Sequence, residues 1–189
     1  CDGIVSLGGG SPHDCAKAIG VMVNNTGSIH DYQGLFAVMQ PLPPLVAVTT
    51  TSGTGSEASF AAIISDPERK EKMGLGDPKM IPLVAVNDPL LTRTMPPHIT
   101  AGTGMDAMTH AVEAYISRLS NPYSDGLALQ AIELIAANLP RAVEKGDDMA
   151  ARTNMCYAQY NAGLAMNSAQ LGCTHALAHS LGGVYNLPH

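Results

Sequence analysis

The sequence predicts an α/β half followed by an all-helical half, and three observations carry that prediction. Short apolar runs bounded by Gly, Pro or Asp dominate up to about residue 95. From Thr103 onward the apolar residues recur with a helical period instead. The step Met95-Pro96-Pro97 separates the two patterns and reads as a hinge, giving domains at residues 1–95 and 96–189.

Residues 3–7 are a short apolar strand that runs into Gly8-Gly9-Gly10-Ser11. Cys15, Ile19 and Met22 then share roughly one face of a helix over residues 12–22. Ser11 suits its N-cap and Pro12 its first helical position, where no N–H is missed. Residues 45–49, 61–64 and 83–86 read as further strands of one buried sheet. In the second half, Met105, Met108, Val112, Ile116 and Leu119 form one expected core stripe, and Leu127, Ala131, Leu134 and Ile135 the next. Asn121-Pro122 separates these helices, a third begins near Met149, and Leu181-Gly182-Gly183 is the expected end of a fourth.

Composition narrows the class. A chain of 189 residues with 46% hydrophobic and 14% charged residues describes a globular protein with a real core, and its 19 Gly and 13 Pro follow no fixed period. The net charge of −6 and the lack of any basic cluster exclude a nucleic-acid surface. No apolar run reaches the roughly 18 residues a membrane helix requires; residues 155–165 are interrupted by Gln159 and Asn161. Cys1, Cys15, Cys156 and Cys173 form no CxxC pair and read as free thiols of a reducing, cytoplasmic compartment. The chain has no initiator Met or signal peptide and reads as an internal fragment.

Two loops and two histidine pairs carry the chemistry. The glycine turn ahead of a helix brings backbone N–H groups and a positive dipole end close to a phosphate, though its spacing is neither GxGxxG nor a Walker loop. The loop Thr49-Thr50-Thr51-Ser52-Gly53-Thr54-Gly55-Ser56-Glu57 follows another strand and is dense in hydroxyls. Two such loops beyond strand ends favour a nucleotide or phosphate site. Asp106 and His110 stand four residues apart, so they project within roughly 40° of each other on one helix face. Glu113 lies within roughly 20° of Asp106 and is a competing ligand or a group behind the ligands. His175 and His179 repeat the four-residue spacing in an apolar segment. Together these residues suggest an N3O site suited to Fe²⁺, Zn²⁺ or Mn²⁺. Periodicity selects His175 and His179 as the second ligand pair and leaves His189 open.

Gly8-Gly9-Gly10-Ser11-Pro12-His13-Asp14, the loop ending in Gly55-Ser56-Glu57, Gly104-Met105-Asp106-Ala107-Met108-Thr109-His110, and His175-Ala176-Leu177-Ala178-His179 with Tyr185-Asn186-Leu187-Pro188-His189 closely resemble the iron-containing (group III) alcohol dehydrogenases. The resemblance spans the chain in order. With Ile29-His30-Asp31-Tyr32 it is most similar to the 1,3-propanediol and methanol dehydrogenase branch.

The resemblance implies a partial Rossmann-like nucleotide domain followed by a helical metal-binding domain, the dehydroquinate synthase-like architecture. It implies a divalent iron, replaceable by zinc or another divalent metal, held at Asp106, His110, His175 and His189. His179 then lies beside the nicotinamide as the catalytic proton relay, in place of the His175/His179 pairing. Cofactor contacts are implied at Gly9, Gly10, Ser11, Asp14, Thr50, Thr51, Thr54, Ile63 and Lys72. Ile63 equally suits sheet core, and Lys72, in the run Glu68-Arg69-Lys70-Glu71-Lys72, suits a solvated charge. The implied activity is reversible hydride transfer between a short primary alcohol or diol, such as 1,3-propanediol, and NAD. NADP stays open because the family's acidic ribose-reading residue would precede Cys1. The implied full-length parent is a homo-oligomer acting on a small alcohol or aldehyde, and the fragment alone is expected to expose apolar faces. Rival readings are a metal-dependent lyase or hydrolase of a phosphorylated small molecule, and a non-catalytic binding module.

Overall fold

The structure, a computed structural model, describes residues 2–185, 187 and 189; the Cys1 thiol and positions 186 and 188 of the terminal motif lie outside the described residues. The first half contains β1 (Ile4–Gly8), α1 (Gly10–Asn24), β2 (Gly34–Leu35), β3 (Leu45–Thr49), β4 (Ala61–Asp66), β5 (Glu71–Gly76) and β6 (Val84–Val86). The second contains α2 (Pro97–Ile116), α3 (Pro122–Glu144), α4 (Met149–Ala169) and α5 (Cys173–Tyr185). The α/β half therefore precedes an all-helical half.

The strands form two sheets rather than the one expected. β1, β3 and β6 are parallel in the order β1-β3-β6, with Val5 opposite Val46 and Val46 opposite Val84. β4 instead pairs antiparallel with β5, which pairs with the two-residue β2. The charge run 68–72 conceals β5 in the sequence, because it supplies both the hairpin turn and the first strand residues. Asp66 Oδ1 accepts the Glu68 and Arg69 N–H groups (3.0 and 3.1 Å), and Lys70 takes φ +53°, which closes the turn. Beyond it, Met73 and Leu75 alternate into the core.

Local signals also shift the helix ends. α1 begins at Gly10 with an extended Gly9 as its cap, so Ser11 is not the N-cap and Pro12 lies inside the first turn. No side chain caps this end, and its first N–H groups stay available. His13 is buried under β1, where its Nδ1 meets Ser6 Oγ at 2.7 Å. At Pro96-Pro97 the helix starts immediately, since Pro97 occupies the position where its missing N–H costs nothing. The buried Arg152 guanidinium bonds the Met95 carbonyl (3.3 Å), the Gly146 carbonyl (3.0 Å) and Thr100 Oγ1 (2.9 Å), so the expected hinge is pinned. α5 runs through Gly182-Gly183 to Tyr185. These glycines bring the helix against β5: a Cβ at Gly183 would lie 2.9 Å from Glu71 Cα.

The helical core is built on alanine. Ala107, Ala111 and Ala114 of α2 pack with Ala128, Ala131 and Ile135 of α3 and with Ala158, Ala162 and Ala165 of α4. The expected α2 stripe has the right period and the wrong phase. Met105, Val112, Ile116 and Leu119 are 54%, 40%, 71% and 61% exposed, and only Met108 touches the core. Of the α3 stripe, Ala131 and Ile135 are buried and Leu127 and Leu134 pack against them. No described helix is long and apolar enough to cross a membrane.

One face of α4 locks onto the hydroxyl loop of the α/β half. Gln159 accepts the Gly55 N–H (3.2 Å) and donates to Asn87 Oδ1 (2.9 Å) and to Glu57. Two turns on, Asn167 accepts the Phe60 N–H (3.1 Å) and donates to the Ala58 carbonyl (2.5 Å). Between them, a Cβ on Gly163 would sit 3.2 Å from both Cα and O of Gly55, so the backbones touch there. Gly163→Val is expected to lower stability by about 1–3 kcal/mol through overpacking against backbone. Gly126→Ala on α3, where an added Cβ meets nothing within 4 Å, is expected to raise it by about 0.5–1 kcal/mol. Urea unfolding of the two variants checks both signs.

Candidate active site

Asp106 and His110 occupy successive turns of α2, and α5 brings His175 against them. One ligand atom from each lies within 4.8 Å of the others. His189 reaches the same carboxylate: Asp106 Oδ1 is 3.4 Å from His175 Nε2, 3.4 Å from His189 Nε2 and 3.7 Å from His110 Nε2. The His110 and His175 rings stack with centroids 4.5 Å apart. His179 stands at the rim, its ring 4.9 Å from that of His189 and 6.0 Å from that of His175.

Glu113, one α2 turn beyond His110, fixes the orientation of His175. Its carboxylate accepts the Gly172 N–H (2.9 Å), the Thr174 N–H (2.7 Å) and His175 Nδ1–H (2.7 Å). Burial alone would raise this carboxyl, but the Gly172 N–H, the His175 ring and the Thr174 N–H together bring it down to about 2. An ionised carboxylate only accepts, so His175 carries its hydrogen on Nδ1 and, when neutral, presents the Nε2 lone pair to Asp106. Glu113 therefore stands behind the cluster rather than in it.

Burial dominates the other imidazoles. It takes His110 down to about 4, against the pull of Asp106. It takes His179 to about 4 as well, assisted by His189 and His175. It also lowers His189. Burial would raise Asp106, yet the surrounding imidazoles, His175 first, hold it below the usual range. His175 is raised, since Asp106 and Glu113 outweigh its burial. One ionised carboxylate thus faces two imidazoles, His110 and His189, that burial keeps poor in protons, and a third, His175, whose proton the two carboxylates hold until a cation displaces it; an ionised carboxylate with deprotonated imidazoles is the donor state that a hard-to-borderline divalent cation requires.

The same cleft has a second wall. Gly10, Ser11 and Asp14 come from α1, Thr54 from the hydroxyl loop, Ile63 from β4 and Lys72 from β5; all line one cleft with Asp106, His110, His175, His179 and His189. Lys72 faces the cleft from the strand that the charge run conceals, and Ile63 lines it too. Gly9, Thr50 and Thr51 do not line it. Gly9 packs on Thr51, whose Cγ2 would be 3.0 Å from an added Cβ, and Thr50 N–H donates to the Gly8 carbonyl (2.8 Å). These three shape the turn beneath the wall. Ser56, Ser59, Met166 and Leu171 also line the cleft and were missed. The dense hydroxyls of the 49–57 loop were the only signal for Ser56, and no residue pattern pointed to Met166 or Leu171.

The pattern described as "Iron-containing alcohol dehydrogenase" matches residues 1–89, and "Fe-containing alcohol dehydrogenase family, C-terminal" matches residues 100–189. The chain belongs to the iron-containing alcohol dehydrogenase family. It is 51% identical along its whole length to 1,3-propanediol dehydrogenase of Klebsiella pneumoniae, covering 49% of that protein. It is 51% identical to NAD-dependent methanol dehydrogenase of Bacillus methanolicus, covering 50%. The solved alcohol dehydrogenase from Oenococcus oeni superposes with a TM-score of 0.97 at 46% identity, over 100% of this chain and 49% of that one. The chain thus spans about half the length of the relatives it matches.

The buried imidazoles set an acid limit. His13, His110 and His179 are each held near 4 against an ordinary 6.5, so the unfolded chain binds more protons between those values. The share of the metal-free protein's stability that these three rings contribute is expected to be fully present above pH 6.5 and to fall as pH drops toward 4. His13→Gln, outside the cleft, should remove on the order of 2 kcal/mol of that dependence. Denaturant melts of both proteins across this range check it.

Proposed function

We propose that the protein of which this chain is part is a metal-dependent oxidoreductase that interconverts short primary alcohols or diols and their aldehydes with a nicotinamide dinucleotide. The single observation that carries this reading is that the imidazole–carboxylate cluster and the wall at the α1 N-terminus line one cleft. Relatives named as 1,3-propanediol and NAD-dependent methanol dehydrogenases support the substrate class and favour NAD. Residues 1–95 then serve as the partial nucleotide-binding domain and residues 96–189 as the partial metal-binding domain, in a dehydroquinate synthase-like arrangement.

Asp106, His110, His175 and His189 are the residues that would hold the divalent ion, iron by family and zinc by the same donor chemistry. The fit rests on this chain's own atoms: a His110 ring that burial keeps neutral, an ionised Asp106 carboxylate among the imidazoles, and the Glu113 contact that aims His175 Nε2 inward. When bound, the metal supplies Lewis acidity toward an alcohol oxygen, and the nicotinamide supplies the hydride acceptor. The α1 N-terminus, with Gly10 and Ser11, suits the cofactor's phosphates, since its N–H groups are uncapped. Lys72 adds positive charge on the same wall. His179, kept neutral at working pH because burial lowers it to about 4, has a free lone pair for the alcohol's proton and stands at the rim, where that proton can leave. Met166 and Leu171 add apolar lining to the same cleft.

In the full-length protein, His175→Ala is expected to abolish stoichiometric metal. His179→Ala should keep the metal and lower kcat by roughly 10²–10⁴-fold. Elemental analysis beside nicotinamide absorbance with a panel of alcohols measures both, and equal metal in the two variants would overturn the division of roles. Metal without any nicotinamide turnover would favour the hydrolase or lyase chemistry. Separately, Glu113→Gln should weaken metal binding by about 10–100-fold, read by competition with a chelator.

A further inference from the structure

Lys17 lies on α1 one turn beyond Asp14, is wholly buried, and does not line the cleft. Its ammonium faces Ser56 Oγ (3.1 Å), the Ser59 carbonyl (2.8 Å), Ser59 Oγ (3.0 Å) and the Ala61 carbonyl (2.7 Å). No carboxylate bonds it directly, and burial pulls its pKa down to about 8 despite the attraction of Asp14 and Glu57. Burying a cation among neutral acceptors is costly, and an apolar side chain of similar length would fill the same space without that cost. What the lysine adds is direction. Because Ser56 Oγ accepts from Lys17, its own hydrogen goes to Asp14 Oδ1, 2.6 Å away. The other Asp14 oxygen accepts the Ile63 N–H at 3.0 Å. Ser56, Ser59, Ala61, Ile63 and Asp14 all line the cleft; Lys17 bonds the first three directly, reaches Asp14 through Ser56, and reaches Ile63 through Ser56 and Asp14.

We propose that Lys17 is the positioning residue of the nucleotide wall, acting from behind the cleft through Ser56 to set the Asp14 carboxylate and the 56–63 backbone against the dinucleotide. The inference rests on the nicotinamide reading above. It places Lys17 with the cofactor wall and apart from the metal cluster, so its loss is expected to move cofactor binding and leave metal and alcohol handling alone.

The test uses the full-length protein and NADH as the probe, with titration by nicotinamide fluorescence, metal analysis and separate KM values for cofactor and alcohol. Lys17→Met is expected to raise the NADH Kd and the cofactor KM at least about tenfold, with metal content and alcohol KM within twofold. Ser56→Ala breaks the same chain at its middle link and should reproduce most of the effect. The double variant should be no worse than Lys17→Met, because the two substitutions interrupt one pathway. Wild-type affinity in Lys17→Met, or losses that simply add in the double variant, would overturn the assignment. Should Lys17→Met not fold, the comparison passes to Lys17→Arg and Ser56→Ala: the Arg fork cannot meet the four acceptors of one ammonium, so both must weaken NADH binding with metal retained, and normal binding in both overturns the proposal. Failure of the wild-type protein to bind NADH overturns the nicotinamide reading itself, and this inference with it.

Discussion

The contact between α4 and the 52–60 loop fixes the relation of the two halves. Gln159, Gly163 and Asn167 recur every four residues, so one helix face presents two amides with a bare backbone patch between them. The amides satisfy the Gly55 and Phe60 N–H groups and the Ala58 carbonyl. Loop backbone that would otherwise require water is thus bonded across the domain step. The loop in turn holds Ser56 and Ser59, which hold Asp14 and Lys17 of α1. A single chain of polar contacts therefore runs from the helical core to the uncapped end of α1. Displacing the α1 wall relative to the helices means breaking several buried hydrogen bonds together.

The cleft separates two ways of managing buried charge. On the helical side, Glu113 stays ionised because two backbone N–H groups and an imidazole compensate its burial, and Asp106 because three imidazoles surround it. On the α/β side, Asp14 is raised by burial in spite of Lys17, Ser56 and Ile63. The carboxylates on the two sides thus move in opposite directions, because the N–H groups and imidazoles on the helical side outweigh burial whereas Lys17, Ser56 and Ile63 do not outweigh it at Asp14. That asymmetry places the cation-attracting pole at Asp106 and leaves the α1 wall suited to an anionic ligand, with Lys72 beside it.

The legible parts of the fold were those with a local cause. Strand–glycine turn–helix, the Asn121-Pro122 boundary and the Asp106/His110 pairing all depend on residues within a turn or two, and each appears in the structure. The α2 phase was missed because its core contact uses Gly104, Ala107, Ala111 and Ala114, whose small side chains let helices approach closely, whereas Met105 and Ile116 point away. β5 was missed because its first residues are charged and its burial begins only at Met73. The histidines show the same limit. Spacing pairs His175 with His179, but α5 turns His175 inward beside Asp106 and leaves His179 at the rim, while His189 comes back past the helix end. That return is tertiary, and only family resemblance anticipated it. Lys17 gave no signal because a buried lysine and an exposed one look alike in sequence.

Apolar surface and site are specified separately in this chain. Val5, Leu7, Val84 and Val86 share one face of the parallel sheet and are 74%, 63%, 45% and 37% exposed, although parallel sheets are ordinarily covered on both faces. Ile116, Leu119 and Leu181 are exposed on the helical side. The inner cluster does not share that openness: His110 and His175, with Glu113 behind them, are each at most 5% exposed, and the positioning partners Gly172 and Thr174 lie within the chain. Covering the open sheet face would add hydrophobic stability without touching any hydrogen bond of the cluster. Stability and site geometry therefore respond to different substitutions: those on the sheet face change how firmly the chain folds, and those at Glu113, Gln159 and Asn167 change how the cleft is held.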